Sequence, residues 1–251
     1  MGLFSKLFSK NTHSGDDVPE PILVDMHSHL LPGIDDGVKT LEEAVAVVKE
    51  FVKLGFKKLI TTPHIMGDFY RNTPDIILSK LDLLKTRIAN EGIDIQLAAA
   101  AEYYLDESLI TKLQRGEKLL TFGENYLLVE TSYLNAPANF SDAIYLIKQS
   151  GYWPVLAHPE RYQYLYQSFE KFEEMYEQNI SFQLNTNSLI GYYSKPAQVY
   201  AKKLIEKNMV NFIGSDCHNM KHIEALAKTM KLKEYNEVSR LYLFNNTLLN
   251  A

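Results

Sequence analysis

The sequence predicts an α/β fold whose parallel strands close, or nearly close, into a single barrel. Strand-like and helix-like patterns alternate from residue 22 onward, and such alternation is typical of parallel sheets. Seven strand-like segments share roughly 230 residues, which suits one barrel better than two separate domains. Helix-start signals stand where the pattern changes from strand to helix. A doubly wound open sheet is the alternative arrangement.

Each element is predicted from its own local pattern. Apolar runs bounded by Gly, Pro or polar residues predict strands, namely 22–29, 57–64, 94–104, 126–132, 153–160, 181–188 and 210–218. Apolar residues recurring every three or four positions predict helices, namely 41–55, 75–92, 107–116, 140–151, 169–179, 197–208 and the region after about residue 221. Thr40 and Glu43 form a capping box before the first helix, and Thr73-Pro74 opens the second.

The composition excludes several classes of function. The chain has 251 residues and a formal net charge of −5 without a basic run, so nucleic acid is not the expected partner. The single cysteine, Cys217, excludes a disulfide within the chain and fits a reducing, cytoplasmic location. No apolar stretch reaches the roughly 18–20 residues that are needed to span a bilayer.

Residues 1–21 are predicted to form a tail that precedes a barrel domain of residues 22–251. The tail is not expected to be a signal peptide, because its apolar stretch is short and interrupted by lysines. Its apolar residues share one helical face opposite the lysines, namely Leu3, Phe4, Leu7 and Phe8 against Lys6 and Lys10. A mobile tail is the simpler interpretation, and a weak amphipathic contact with the inner membrane surface is the alternative.

Histidine and acidic side chains end six of the seven predicted strands. They are His27 and His29 on the first strand, His64 on the second, Glu102 on the third, Glu130 on the fourth, His158 on the fifth, and Asp216 and His218 on the seventh. The carboxyl ends of parallel strands meet on one rim, so these side chains are expected to converge there. Period-two alternation predicts that Asp25 shares a face with His27 and His29.

This convergence predicts a centre with more than one metal ion. A single histidine at a strand end is more often a hydrogen-bonded core residue, but several carboxylates meeting at one point repel one another. Divalent cations remove that conflict, and mixed imidazole and carboxylate ligands suit zinc, manganese or iron. At least eight ligands are available, so two or three ions are expected. Either Asp35 or Asp36, in the turn after the first strand, is a candidate for a further ligand, and the spacing does not distinguish them.

Centres of this kind mostly catalyse hydrolysis, and phosphate esters suit them because the phosphoryl oxygens need positive charge. Arg161, in the segment AHPERY, is expected to bind phosphate through its guanidinium, with a structural salt bridge as the alternative. Tyr162 and Tyr164 are candidates for the wall of a pocket for a flat aromatic group. Cysteine-dependent phosphatase chemistry is excluded, because Ile223 rather than an arginine stands six residues after Cys217.

The motifs HSH, TTPH, AAEYY, LLVE, LAHPERY and IGSDCHN, in this order, resemble the polymerase-and-histidinol-phosphatase (PHP) superfamily. Within it, the chain is most similar to the bacterial manganese-dependent tyrosine-protein phosphatases of capsule and exopolysaccharide operons. The resemblance extends from about Val24 to the C-terminus. It implies a distorted (β/α)7 TIM-like barrel with the metal site at the C-terminal ends of the strands.

The resemblance also implies which residues hold the ions, two to three in number, with Mn²⁺ expected first and Zn²⁺ or Fe as alternatives. One ion is assigned to His27, His29, Glu102 and Asp216. Glu102 bridges to a second ion, which is also held by Glu130 and His158. The third is assigned to Asp36, His64 and His218, so the resemblance selects Asp36 over Asp35.

Arg161 corresponds to the family's phosphate-binding arginine. Some relatives carry a further arginine after the SDxHN motif, where this chain has Lys221 and His222.

The activity implied by the resemblance is hydrolysis of phosphotyrosine in proteins by a metal-bridged hydroxide. The implied substrate protein is the membrane tyrosine autokinase that drives polysaccharide export. One alternative is a small-molecule phosphatase, such as a histidinol-phosphate phosphatase, on the same scaffold. Another is a non-catalytic, metal-stabilised barrel that binds phosphoproteins. An amidohydrolase also begins with HxH, but it usually has fewer carboxylates than this chain provides.

Overall fold

The computed structural model describes residues 20–241 and 243–250. The predicted N-terminal tail, residues 1–21, therefore lies almost entirely outside the described residues. Among the helices in the described part of the chain, none is both long enough and apolar enough to cross a membrane.

Short strands alternate with helices along the described residues. The strands are β1 (Val24–Asp25), β2 (Lys58–Thr61), β3 (His64–Ile65), β4 (Gln96–Ala99), β5 (Glu102–Tyr104), β6 (Tyr126–Glu130), β7 (Trp153–Ala157), β8 (Ser181–Asn185) and β9 (Phe212–Gly214). The helices are α1 (Leu41–Lys53), α2 (Pro74–Asn90), α3 (Glu107–Gln114), α4 (Phe140–Gln149), α5 (Glu170–Glu177), α6 (Lys195–Glu206), α7 (Met220–Thr229) and α8 (Lys233–Val238).

Hydrogen bonds group the strands into two parallel sheets, of order β1-β2-β4 and β3-β5-β6-β7-β8-β9. The two sheets share one register. Lys58 pairs with Gln96 between β2 and β4, and His64 pairs with Glu102 between β3 and β5. His64 follows Lys58 by as many residues as Glu102 follows Gln96, so the pairing continues from one sheet into the other without a shift. The second and third predicted strands are therefore single extended segments, each interrupted once.

The interruption of the second strand falls at Pro63, which has no backbone N–H to donate to a neighbouring strand. Beside it, Thr62 N donates to Ser28 O at 2.7 Å. Thr61 Oγ1 donates to the same carbonyl at 2.9 Å. The prediction of unbroken second and third strands is wrong in this detail, because the backbone changes hydrogen-bond partners just before it reaches the site residues.

The two ends of the strand array meet through the segments that follow β1 and β9. Asp216 N donates to His27 O at 2.8 Å, and His29 N donates to Cys217 O at 2.9 Å. Ser28 and Cys217 form a parallel bridge between these bonds. Seven strand segments thus surround one interior, which agrees with the predicted distorted (β/α)7 barrel and not with a doubly wound open sheet.

Two predicted helix starts are confirmed by their capping bonds. Thr40 Oγ1 accepts a hydrogen bond from Glu43 N at 3.2 Å. The Glu43 carboxylate accepts from Lys39 N at 2.7 Å. In an ideal capping box it would accept from the backbone N–H of the cap residue, Thr40, so the bond is shifted by one residue. Thr73 Oγ1 accepts from Ile76 N at the start of α2.

Apolar side chains fill one end of the barrel interior, towards the N-terminal ends of the strands. We call the following residues the lower cluster: Val24, Met26, Ile60, Leu128, Val155, Phe212 and Leu248. A 3-10 turn, Asn245–Asn250, packs against this end, and Asn245 Nδ2 donates to Val24 O and Ile213 O at 2.9 and 2.7 Å. The opposite end, at the C-terminal ends of the strands, is polar, and we call it the mouth.

Candidate metal centre

The nine side chains that the sequence predicts as metal ligands lie together at the mouth. They form four overlapping groups, and within each group the potential ligand atoms lie within 4.8 Å of one another. The groups are His29, Asp36, His64 and His218; His27, His29 and Asp216; His27, Glu102 and His158; and His64, Glu102 and Glu130. None of the four groups coincides with one of the three predicted ligand sets, although the groups and the sets contain the same nine residues.

Glu102 lies at the centre of the cluster. Its Oε2 is 3.2 Å from His27 Nε2 and 3.3 Å from both His29 Nε2 and His64 Nδ1. Its Oε1 is 3.1 Å from His158 Nε2. Burial opposes ionisation of this carboxyl, but the imidazoles of His27 and His64 outweigh burial and hold the pKa of Glu102 well below its usual value. The central group is therefore an ionised carboxylate surrounded by imidazoles.

Glu130 behaves in the opposite way. Burial and the neighbouring charges of Glu102 and Asp216 raise the pKa of Glu130 well above its usual value. Its Oε2 lies 3.4 Å from His64 Nδ1, and neither of these buried atoms has a hydrogen-bond partner among the described residues. The buried Nδ1 of His158 also lacks one. Buried polar atoms are normally satisfied, so an imidazole–carboxylate set with such orphaned atoms fits divalent cations.

Asp216 links the histidines to the positively charged side of the mouth. It adopts a left-handed backbone conformation, with φ of 49°. Its Oδ1 lies 3.5 Å from ring nitrogens of His27, His29 and His218. Burial opposes ionisation here too, but His218, His27 and Arg161 hold the pKa of Asp216 well below its usual value. One carboxylate oxygen thus faces the imidazoles while the other is free to accept from donors elsewhere.

The structure distinguishes the two adjacent aspartates that the spacing left open. Asp36 Oδ1 lies 3.5 Å from His64 Nε2 and 3.4 Å from His218 Nε2, so its carboxylate points into the cluster. Asp35 Oδ2 accepts from His29 Nδ1 at 2.8 Å, on the far side of that ring from Glu102. Asp35 therefore orients a potential ligand, and Asp36 is placed as one.

Strand β8 carries none of the predicted ligands. It contributes two amide side chains to the site that were not predicted from the sequence. Gln183 and Asn185 are fully buried and stand on one face of this strand. Gln183 Oε1 lies 2.7 Å from His27 Nδ1 and 3.3 Å from His158 N, and Gln183 Nε2 donates to Asn185 Oδ1 at 3.0 Å. Asn185 Nδ2 donates to Asp216 Oδ2 at 2.7 Å.

The groups at the two ends of this hydrogen-bond chain determine that Nδ1 of His27 carries a proton. The Asp216 carboxylate only accepts, so Asn185 presents its amide N–H₂ to it and its oxygen to Gln183. The backbone N–H of His158 only donates, so Gln183 presents its oxygen to that end, and His27 Nδ1 must then carry the proton. His27 Nε2, which faces the cluster, is therefore the ring nitrogen that would bind a metal ion. Buried amides at alternate positions of SFQLN were the available sequence signal.

Two glycines allow these side chains to approach so closely. A Cβ on Gly214 would lie 2.6 Å from His27 Cβ and 2.9 Å from Gln183 Nε2. A Cβ on Gly37 would lie 2.1 Å from His29 O. Any larger residue at either position would displace a histidine of the cluster.

The prediction that Asp25 shares a face with His27 and His29 is wrong. Strand β1 ends at Asp25, and the flanking Met26 packs in the lower cluster, so the alternation breaks before His27. Asp25 instead accepts from Ser215 N at 2.7 Å and from Ser215 Oγ at 2.9 Å. Its carboxylate therefore supports the backbone just before Asp216 rather than facing the histidines.

Arg161 is held at the edge of the cluster. Its NH1 donates to Asp216 Oδ2 at 2.9 Å. Its guanidinium carbon lies 4.5 Å from the centre of the Tyr133 ring and 4.1 Å from that of Tyr193, in cation–π geometry. The side chain is still 20% exposed. Arg161 thus makes the predicted alternative, a salt bridge, while the remaining guanidinium N–H groups stay available to an anion.

The tyrosines proposed as a pocket wall do not form one. Tyr162 is fully buried in the core, and its hydroxyl accepts from Thr131 N at 3.1 Å. Tyr164 stacks on Tyr162 with ring centres 5.5 Å apart. The aromatic side chains beside Arg161 are Tyr133 and Tyr193, which lie on loops after β6 and β8 and carried no distinguishing sequence signal.

Of the two residues in place of a second arginine, His222 lies next to the cluster and Lys221 does not. His222 Nδ1 is 2.9 Å from Asp216 O. Lys221 is exposed at the start of α7, where it lines a groove of about 380 Å³ between α1 and α7. Lys221 is therefore not positioned to assist at the cluster.

Comparisons with known proteins relate the chain to proteins of capsular polysaccharide synthesis. A family model described as "Capsular polysaccharide synthesis, CpsB/CapC" matches residues 23–246. The chain is 27% identical to the tyrosine-protein phosphatase YwqE of Bacillus subtilis over 79% of this chain and 78% of that protein. It is also 27% identical to the putative tyrosine-protein phosphatase CapC of Staphylococcus aureus, over 90% of this chain and 91% of that protein.

Solved structures extend the comparison. A structure from a study of YwqE from B. subtilis and CpsB from Streptococcus pneumoniae, described as unique metal-dependent tyrosine phosphatases, matches with a TM-score of 0.80 and 26% identity, covering 90% of this chain and 94% of that chain. Histidinol phosphate phosphatase from Lactococcus lactis matches with a TM-score of 0.53 and 12% identity, covering 88% and 95%. The second match shows a shared fold only.

Proposed function

Because the chain belongs to the CpsB/CapC family of capsular polysaccharide synthesis, we propose that it is a metal-dependent protein-tyrosine phosphatase. The observation that carries the proposal is the buried cluster at the mouth, where Glu102 lies within 3.3 Å of ring nitrogens of four histidines. Relatives that are similar over most of their length are named tyrosine-protein phosphatases. The likeness to histidinol phosphate phosphatase is limited to the fold, so it does not favour a small-molecule substrate.

The proposed ligands are the nine side chains of the cluster: His27, His29, Asp36, His64, Glu102, Glu130, His158, Asp216 and His218. Their number supports two or three divalent ions, and the mixed imidazole and carboxylate donors suit Mn²⁺ as well as Zn²⁺ or Fe. We take Mn²⁺ as the first candidate from the family resemblance.

Divalent cations bound there supply positive charge to phosphoryl oxygens and activate water for attack on phosphorus. The side chains of the chain itself prepare the site for that chemistry. Gln183 and Asp35 hold the rings of His27 and His29 in fixed orientations. Arg161, between the rings of Tyr133 and Tyr193, presents guanidinium N–H groups to an anion at the mouth.

The leaving group of phosphotyrosine is a phenolate, whose conjugate acid has a pKa of about 10. Such a leaving group departs more easily than an aliphatic alkoxide, so the site needs no dedicated strong acid. Hydrolysis at the mouth accordingly depends more on positive charge near the phosphoryl group and on orientation of the substrate than on a proton donor.

The substrate that we propose is a phosphotyrosine-bearing protein, and by family analogy a membrane tyrosine autokinase of polysaccharide export. A cytoplasmic enzyme would meet the intracellular part of such a kinase at the membrane. The amphipathic pattern of residues 3–10 offers a weak membrane contact that would favour this encounter, although this segment lies outside the described residues.

The test combines metal analysis with assays across added Mn²⁺, Zn²⁺ and Fe²⁺. We expect the purified chain to bind two to three ions and to hydrolyse a phosphotyrosine peptide much faster than histidinol phosphate. The reverse preference would replace the proposal with a small-molecule phosphatase. A metal-loaded sample that is inert towards para-nitrophenyl phosphate would indicate a non-catalytic phosphoprotein-binding barrel.

A further inference from the structure

A large aromatic side chain stands exposed on the loop that follows the proposed metal ligand His64. Phe69, in the loop between β3 and α2, is 78% exposed, more than any other large apolar side chain among the described residues. Single exposed apolar side chains are common, so the inference depends on the loop that carries Phe69 and on the cleft beside it.

The loop that carries Phe69 is held rigidly by hydrogen bonds. Met66 N donates to Tyr70 O at 2.9 Å, and Tyr70 N donates to Met66 O at 3.0 Å, so the loop closes as a tight turn. Gly67 N donates to Asp106 Oδ2 at 2.9 Å, which ties the turn to the start of α3. Phe69 is therefore carried by a hydrogen-bonded turn that is tied to α3.

The same loop is attached to a proposed metal ligand. The Tyr70 ring stacks on His64, with centres 5.4 Å apart and planes 12° apart. Asn72 Nδ2 donates to His64 O at 2.8 Å and to Ile34 O at 2.9 Å. Phe69 thus has a defined position relative to the cluster, as a residue that selects substrates must have.

A small cleft opens next to Phe69. It has a volume of about 170 Å³ and is lined by Met66, Asp68, Phe69, Tyr104 and Asp106. We call it the Phe69 cleft. Met66, Phe69 and Tyr104 give it apolar walls. The Asp106 carboxylate accepts from Gly67 N and caps α3 through Leu109 N at 2.9 Å, so it is occupied, whereas Asp68 is exposed at the edge.

We propose that the Phe69 cleft binds an apolar side chain that flanks the phosphotyrosine in the substrate polypeptide. The inference rests on the proposed function and adds a specificity determinant to it. The cleft has room for one side chain, and its walls suit an aliphatic or aromatic group. The two carboxylates disfavour an acidic neighbour, because like charges repel at close range.

The experiment measures steady-state kinetics of the full-length, Mn²⁺-loaded chain on two substrates. One is a set of phosphotyrosine peptides with Leu, Gly or Asp at each position beside the phosphotyrosine, and the other is para-nitrophenyl phosphate, which has no flanking residues. The variant is Phe69→Ala. The matched control is Tyr145→Ala, because Tyr145 is an aromatic side chain that is 65% exposed on α4.

We expect Phe69→Ala to raise KM about tenfold for the best Leu-containing peptide, equivalent to about 1.4 kcal/mol. We expect kcat on that peptide, all constants for para-nitrophenyl phosphate and all constants of Tyr145→Ala to stay unchanged. Replacing Leu by Gly in the peptide should raise KM for the wild-type chain by a similar factor. It should add little in the Phe69→Ala variant, since both changes remove the same contact.

Three outcomes would overturn the inference while leaving the proposed function intact. The first is an unchanged peptide KM in Phe69→Ala. The second is a parallel loss on both substrates, which would place Phe69 against the phenyl ring itself. The third is a change of oligomeric state, which would make the cleft a contact between copies of the chain. A wild-type chain that cleaves para-nitrophenyl phosphate but no phosphotyrosine peptide would instead overturn the proposed function.

Discussion

The two ends of the barrel interior bury opposite kinds of side chain. Leu128 in the lower cluster and His27 at the mouth are both 0% exposed. Burial of Leu128 removes apolar surface from water and favours folding directly. Burial of His27 is favourable only if its polar atoms find partners. The lower end therefore supports stability, and the mouth carries groups whose arrangement is explained by chemistry rather than by packing.

The largest effect that separates the two ends should come from Glu102→Gln. The neutral amide keeps the volume but removes the charge that four imidazoles surround, so we expect loss of bound metal and a fall in kcat of about 10³-fold or more. Metal content by mass spectrometry and kcat on para-nitrophenyl phosphate measure both.

The matched change at the other end is Leu128→Ala. It should lower the free energy of unfolding by about 2–5 kcal/mol through the cavity that it leaves, while metal content and kcat of the folded protein stay as in the wild type. If Leu128→Ala abolished metal binding in a folded protein, the lower cluster could not be assigned to stability alone and the mouth to metal binding.

A smaller effect is expected from Arg161→Ala, at the edge of the mouth. Loss of the guanidinium should lower kcat by about 10²-fold, since such donors act on charge that develops in the transition state. Metal content should not change, because Arg161 contacts the cluster only through Asp216 Oδ2. Full activity of this variant on a phosphotyrosine peptide would show that Arg161 has only a structural role.

Gln183→Leu tests whether the tautomer of His27 matters. The apolar side chain removes the acceptor for His27 Nδ1–H, so we expect metal affinity to fall by about 10–100-fold, with a smaller loss of kcat once excess Mn²⁺ restores occupancy. Calorimetric titration of the metal-free chain gives the affinity. Gln183→Glu is the comparison variant. Its carboxylate still accepts from His27 Nδ1 but no longer donates to Asn185 Oδ1, so it should retain more affinity than Gln183→Leu and less than the wild type. Equal affinities for the wild type and Gln183→Leu would assign Gln183 to packing alone.

The smallest effect is expected from Asp36→Asn in the metal-free chain. Burial opposes ionisation of Asp36, but the hydrogen bond and charge of His218 outweigh it, so the folded pKa lies below the unfolded value of about 3.9. A depressed pKa adds stability above about pH 4 and loses it as the pH falls further. The Asp36 side chain is 51% exposed, so water screens the interaction and the contribution at pH 7 should be less than about 1 kcal/mol.

Urea unfolding of the metal-free chain at pH 7, 4 and 3 measures this difference. The difference between wild type and Asp36→Asn should be nearly the same at pH 7 and pH 4 and should shrink between pH 4 and pH 3. The effect of Leu128→Ala should stay constant over the same range, because no charge is involved. A pH-independent effect of Asp36→Asn would contradict the assigned pKa shift.

Much of the mouth was predictable from the sequence, because metal-ligand chemistry is restricted to a few residue types. His64 and Glu102, for example, stand at the ends of apolar runs, and the parallel topology alone brings such ends together. Gln183 and Asn185 were missed, because buried amides occur for many structural reasons and their partners lie far away in the chain. Tyr162 was misread, because an aromatic residue beside a motif gives no indication of whether it faces the core or solvent.

The sequence by itself determined the order of strands and helices, the set of imidazole and carboxylate groups at the strand ends, and two helix starts. These follow from local periodicity and residue chemistry, which act over a few positions. The residue spacing left Asp35 and Asp36 open, and only the family resemblance selected Asp36. The tertiary structure decided that Asp35 orients His29, that the alternation breaks between Asp25 and His27, and that β8 orients His27. Such choices depend on breaks in the backbone and on contacts between distant segments, as between Gln183 and His27, so no local pattern specifies them.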